Sequence, residues 1–118
     1  MKYALMIYHN PEDWKALSAE QQNHVHTEGS RKWEEIMASG EALMGEPFGD
    51  FRRYVTVRDG VTNITDGPYA EAKEQIVGFM LLDLASDERA LELAASWPDS
   101  AVTGIEIRAL GNFNSSTL

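Results

Sequence analysis

The chain has no cysteine. That absence removes disulfides, thiolate zinc centres, iron–sulfur clusters and a thiol nucleophile. It fits a reducing compartment, and a cytoplasmic location is expected. Basic residues are scarce: ten Lys and Arg stand against nineteen Asp and Glu, a formal net charge of −9. A chain of that sign is repelled by phosphate and gains nothing from counterion release, so neither nucleic acid nor an anionic membrane is an expected partner. Long apolar runs are missing too. The longest near the start, Tyr3 to Tyr8, is six residues, too short for a signal-peptide core or a membrane span. No phosphate-cradling Gly loop, G-x-S-x-G elbow or H-E-x-x-H motif is present. No cofactor is implied. At 118 residues, one domain accounts for the chain.

Met1 to Tyr8 is apolar on both alternating faces, Tyr3, Leu5 and Ile7 against Ala4, Met6 and Tyr8, which is the pattern of a strand covered on both sides. After an Asn10-Pro11 turn, Ser18-Ala19-Glu20-Gln21 has the form of a capping box, which starts a helix near Ala19. That helix runs to Ser39, where Gly40 supplies a left-handed stop. At about 100° per residue, Gln22, His26, Gly29, Trp33, Ile36 and Met37 fall on one inward stripe. His24 lies opposite Trp33. The two histidines diverge by about 160° and cannot chelate one metal from a continuous helix, so no metal site is expected.

Glu41 to Glu46 reads as a short strand closed by Pro47. Tyr54 to Arg58, Asp59-Gly60 and Val61 to Thr65 read as a hairpin, because Asp-Gly tolerates the positive φ angles of a type I′ turn. Ile76 to Leu84 is a second strand apolar on both faces. Ser86 caps a second helix that Pro98 stops, and Thr103 to Arg108 alternates as a last strand. Gly111 to Leu118 reads as a polar tail. The order βαβ, hairpin, βαβ defines an α+β, ferredoxin-like sandwich over residues 1–110. Two helices cover one face of its sheet. A second copy, packed sheet to sheet as a homodimer, is the economical cover for the other.

The run Thr65-Asp66-Gly67-Pro68-Tyr69-Ala70-Glu71-Ala72-Lys73-Glu74-Gln75, followed by Gly78-Phe79, resembles the signature of the DGPF family within the YciI-like (YCII-related) superfamily. Tyr69 stands where that signature has Phe. Met1-Lys2-Tyr3, Ala38-Ser39-Gly40 and Gly45-Glu46-Pro47 fit the same family. The resemblance implies a dimeric α+β barrel. It also implies an acid/base pair made of a histidine early in the first helix and an aspartate, as a cofactor-free lyase or isomerase would need. Counting back eleven residues from Gly40, the place of the relatives' histidine is taken here by Gly29. His26 lies one turn earlier on the same face.

The candidate catalytic residues are therefore His26 and Asp66, with His9 and Tyr69 as candidate substrate contacts. His9 closes the first strand, where strand ends line clefts. Tyr69 offers a phenol to a ligand oxygen. Each has a plainer role. Asp66 could serve as an Asx-type turn or cap over Pro68 and Tyr69, and either histidine could be structural. Two functions follow: proton transfer on a small organic molecule, or a non-catalytic small-molecule or protein-binding module, for example an accessory to sigma-factor-linked signalling.

Overall fold

The computed structural model describes residues 1–111; the sequence-read tail, 111–118, lies outside the described residues but for Gly111. The elements in chain order are β1 (Lys2–His9), α1 (Pro11–Lys15), α2 (Ala19–Ala38), β2 (Ala42–Pro47), β3 (Tyr54–Arg58), β4 (Val61–Thr65), β5 (Gln75–Asp83), α3 (Asp87–Ser96), a 3₁₀ turn (Pro98–Ala101) and β6 (Gly104–Ala109). Strands β2-β5-β1-β6 form one antiparallel sheet, and β3-β4 form a separate ribbon. This is the ferredoxin-like α+β order: α2 connects β1 to β2, and α3 connects β5 to β6, each across one intervening strand. Among the described residues, no helix is long and apolar enough to cross a membrane.

Local chemistry sets the boundaries. The capping box at α2 is complete: Gln21 N–H donates to Ser18 Oγ at 3.1 Å and Ser18 N–H to Gln21 Oε1 at 2.8 Å. Ser86 Oγ accepts from Arg89 N–H at 3.1 Å to open α3. The hairpin turns at Asp59 and Gly60 with φ of 50° and 76°, the positive pair that a type I′ turn requires.

β1 and β5 lie side by side at the centre, with Tyr3 opposite Leu82 and Leu5 opposite Met80. Their helix-facing side chains meet Ile36 of α2 and Ala90, Leu93, Ala94 and Trp97 of the second half as one core. The stripe of α2 that enters this core is rotated from the sequence expectation. Val25 and Ile36 are buried, whereas His26 and Met37 are exposed. Val25 lies on the far side of Ile36 from Met37, so its burial turns the helix away from the side on which His26 sits.

Beneath the sheet, Ala4, Met6, Phe79, Leu81 and Met44 carry the same alternation with no second layer over them. Met44 pairs with Leu81 and Leu81 with Ala4, while Phe79 pairs with Met6. The β3-β4 ribbon does not cover this face. Val55, Val57, Val61 and Ile64 are each more than half exposed. The radius of gyration, 16.6 Å, exceeds the roughly 13 Å of a compact chain of this length, as expected where a ribbon stands off the body.

A half-buried ion pair ties the two halves. Arg89 Nε and Nη2 donate to Glu41 Oε2 and Oε1 at 2.8 and 2.9 Å, a two-point fork from α3 to the start of β2. The guanidinium holds the Glu41 carboxyl below its ordinary pKa, against the opposing effect of burial. A carboxyl depressed in the folded state stabilises the fold above its unfolded pKa and loses that contribution as pH falls through the folded value. Glu41→Gln should therefore cost about 1 kcal/mol near pH 7, and the difference should vanish below the carboxylate range. Urea melts of both proteins from pH 7 to pH 3 measure it; a gap that persists at pH 3 contradicts the role given to the pair.

Candidate functional site

The ends of β1 and α3 converge at one corner. His9, the last residue of β1, places Nε2 2.7 Å from Asp99 Oδ2 in the 3₁₀ turn. The two side chains are only 23% and 13% exposed. Behind His9, the indole of Trp14 stacks on the imidazole with ring centres 5.3 Å apart and planes 18° from parallel. Trp14 also meets His26 edge-on at 5.2 Å. One tryptophan therefore touches both histidines.

Short-range bonds hold this corner. Asn10 Oδ1 caps α1 by accepting from Glu12 N–H at 2.9 Å, and Pro11 opens the helix where a missing N–H costs nothing. Asn10 N–H donates to Thr103 Oγ1, whose hydroxyl donates to Asp13 Oδ2 at 3.0 Å. Gln22 Nε2 of α2 donates to the Trp14 carbonyl at 3.0 Å. The five-residue α1 is thus fastened to Thr103, just ahead of β6, and to α2, and Trp14 with it.

A cavity of about 520 Å³ opens between α2, the β2–β5 edge and the 3₁₀ turn. His26, Gly29, Ser30, Trp33 and Glu34 come from α2; Ile7, Gly78 and Met80 from the sheet; Trp97 from the junction of α3 and the turn, and Asp99 from the turn. Gly45 shapes one wall by what it lacks. A Cβ there would lie 2.8 Å from Trp33 Cη2 and 3.0 Å from the Phe79 carbonyl, so the indole packs this closely against β2 only over glycine. Two walls are aromatic, and the titratable lining is His26 with carboxylates and no Lys or Arg. Such a lining suits proton transfer at an apolar ligand surface. Among the described residues, no cluster of three His, Asp or Glu is arranged to hold a metal ion.

The residues singled out from sequence divide between two places. His26 lines the cavity, and His9 stands behind it on Asp99. Asp66 and Tyr69 lie in the exposed turn that leaves β4, with Tyr69 84% exposed at φ 63°, and neither lines the cavity. No hydrogen bond joins Asp66 to a histidine among the described residues. The turn is capped by a different residue from the one expected: Thr65 Oγ1, not the Asp66 carboxylate, accepts the Gly67 N–H at 3.1 Å. Asp99 and Trp14 were not singled out. Pro98 followed by Asp is a helix-start signal that marks the turn, but nothing in the spacing pairs Asp99 with His9.

Fold and cavity together define an α+β protein of ferredoxin-like architecture with a small-molecule-sized cleft beside the sheet. The family description "YCII-related domain" matches residues 1–114, and the chain belongs to that family. A protein of Rhizobium meliloti described as uncharacterised is 32% identical over 96 residues, covering 80% of this chain and 77% of that one. Among solved structures, the 5-chloro-2-hydroxyhydroquinone dehydrochlorinase of Burkholderia phenoliruptrix, in complex with 2,5-dihydroxybenzoquinone, matches over 94% of each chain. The TM-score is 0.55 at 10% identity, a likeness of fold.

The turn separates two substitutions. Gly67 holds φ at +98°, and a Cβ there would meet Tyr54 Cβ at 3.0 Å. Gly67→Ala should destabilise by about 1 kcal/mol or more. Asp66→Ala, with no cap to lose, should stay within about 0.5 kcal/mol of the parent. Equal denaturation midpoints for the two variants would refute this assignment of the cap.

Proposed function

We propose that this chain is a cofactor-free enzyme that moves a proton on a small organic molecule held in the cavity, with Asp99 as the base and His9 as its positioning residue. The observation that carries the reading is the 2.7 Å contact between His9 Nε2 and Asp99 Oδ2, both largely withdrawn from water, with Asp99 at the cavity wall. Asp99 thereby keeps its second carboxylate oxygen for a ligand, while the imidazole, clamped by Trp14, orients the first. His26, which also lines the cavity, is the group that returns a proton to the ligand. This reading gives Asp99 the part that the sequence motif suggested for Asp66. The structural neighbour's action on a chlorinated hydroxyhydroquinone, and its complex with a dihydroxybenzoquinone, support a small oxygenated ring as the kind of molecule taken. Within the family we assign the chain to the DGPF branch, on Asp66-Gly67-Pro68-Tyr69.

The same reading includes a homodimer. The uncovered sheet face, from Met44 through Leu81 and Phe79 to Ala4 and Met6, is apolar across three strands. Beyond them, β6 presents Glu106 and Arg108 on that face, and Tyr8 donates its phenol to Glu106 Oε1 at 2.9 Å. A second copy seated over β2, β5 and β1 buries the apolar part and leaves this polar margin wet. Light scattering at micromolar concentration should give twice the 13.2 kDa of one chain; a mass of one chain without concentration dependence refutes the dimer.

The activity is tested by incubating the protein in D₂O with a panel of small cyclic ketones and hydroxyketones and reading deuterium uptake by mass spectrometry. At least one should exchange faster with protein than without. Asp99→Asn should reduce the rate by about 100-fold or more, and His9→Gln by less. Saturable ligand binding with no exchange across the panel would refute the enzyme and favour the binding module.

A further inference from the structure

One polar group in the cavity has no part in the acid–base pair. Trp97 is 4% exposed, and its indole N–H, which can only donate, has no hydrogen-bond partner among the described residues. No buried side-chain nitrogen or oxygen there is both sealed from solvent and unpartnered. This N–H therefore opens on space that another atom can enter, and the space is the cavity that Trp97 lines. Gly29 makes the opening. A Cβ on Gly29 would sit 3.9 Å from Trp97 Nε1 and 3.9 Å from Pro98 Cγ. A longer side chain at that position would run across the N–H and cover it.

Two residues along the chain, Asp99 presents an acceptor to the same cavity. Pro98 between them fixes its own φ and so stiffens the backbone that joins donor to acceptor. Glu34, Glu46 and Asp99 make the local charge negative, with no Lys or Arg in the lining. A carboxylate or phosphate ligand would meet like charge from three side chains. Trp33 gives a flat wall against which a ring can lie.

We infer that Trp97 Nε1–H and the Asp99 carboxylate form a donor–acceptor pair that recognises an uncharged, flat ligand carrying two oxygens, and that Gly29 is the specificity-determining opening to it. One ligand oxygen accepts from the indole; the other, a hydroxyl, donates to Asp99. This rests on the cavity being the ligand site proposed above, and it names the class of ligand.

The test uses ¹⁵N-labelled protein, in which the three indole N–H resonances are assigned by single Trp→Phe variants, titrated with catechol, benzoate and toluene. Catechol should move the Trp97 resonance saturably and further than that of Trp14, and should bind at least about tenfold more tightly than benzoate. Trp97→Phe should weaken catechol about five- to tenfold, and Gly29→Leu should abolish its binding while the melting temperature stays within a few degrees. If Trp97→Phe does not fold, Gly29→Leu decides alone. Benzoate or toluene binding as tightly as catechol, no shift of Trp97, or full catechol affinity in Gly29→Leu overturns the inference. The two proposals fail separately. Deuterium exchange that needs Asp99 but persists unchanged in Trp97→Phe leaves the catalytic reading and removes this one. Catechol bound at Trp97 without exchange of any panel member does the reverse.

Discussion

The antiparallel pairing of β1 with β5 is the constraint on which the rest depends. Both strands are apolar on both faces, so only a central position with cover above and below suits them, and the register that sets Leu5 against Met80 fixes which side chains face the helices. A one-residue slip would exchange Tyr3 and Leu5 for Ala4 and Met6 in the core. The register is irregular only past Ile7, where Tyr8 pairs with Ile76 and Val77 is passed over. That irregularity falls just before His9, and the extra β5 residue bends the strand end locally. The corner holding His9, Asp99 and Trp14 is therefore a product of how the central pair ends.

Much of the architecture was legible because its signals are local and repeated. Two strands apolar on both faces, a complete capping box and an Asp-Gly turn each state their element within a few residues. The rotation of α2 was less legible, since an axis drawn through Trp33 sets Met37 at about 40° and Val25 at about 80° on the other side, and only packing against the 3₁₀ turn brings Val25 in. The helix α1 and the 3₁₀ turn, five and four residues long, are too short for hydrophobic periodicity to register. Their capping residues were in view, but a cap alone does not make an element.

The candidate site was half legible. His9 and His26 could be placed by strand alternation and helical spacing. Their neighbours could not: Trp14 reads as an ordinary large apolar residue, and Asp99 as one acidic residue among nineteen Asp and Glu. The eleven-residue motif drew the eye to Asp66 and Tyr69, whereas the structure gives that motif a turn held by Thr65 and Gly67. A motif that is distinctive because its backbone is unusual need not be where the chemistry lies. Conversely, Gly29, where a relative's histidine was expected, leaves open the space beside Trp97 Nε1.

The bonds that assemble the corner join opposite ends of the chain. His9 to Asp99 and Asp13 to Thr103 each span 90 positions, and at the other end of β1 the bond from Tyr3 to Asp87 spans 84. During synthesis the first strand, α1 and both histidines leave the ribosome long before their partners exist. β1 must wait with an apolar surface on each side until β5 arrives, and the corner cannot close until Thr103 has been made. The nascent chain is thus exposed to misassociation for most of its translation, and the excess of acidic over basic residues already present in residues 1–74, thirteen against eight, helps to hold neighbouring unfinished copies apart in that interval.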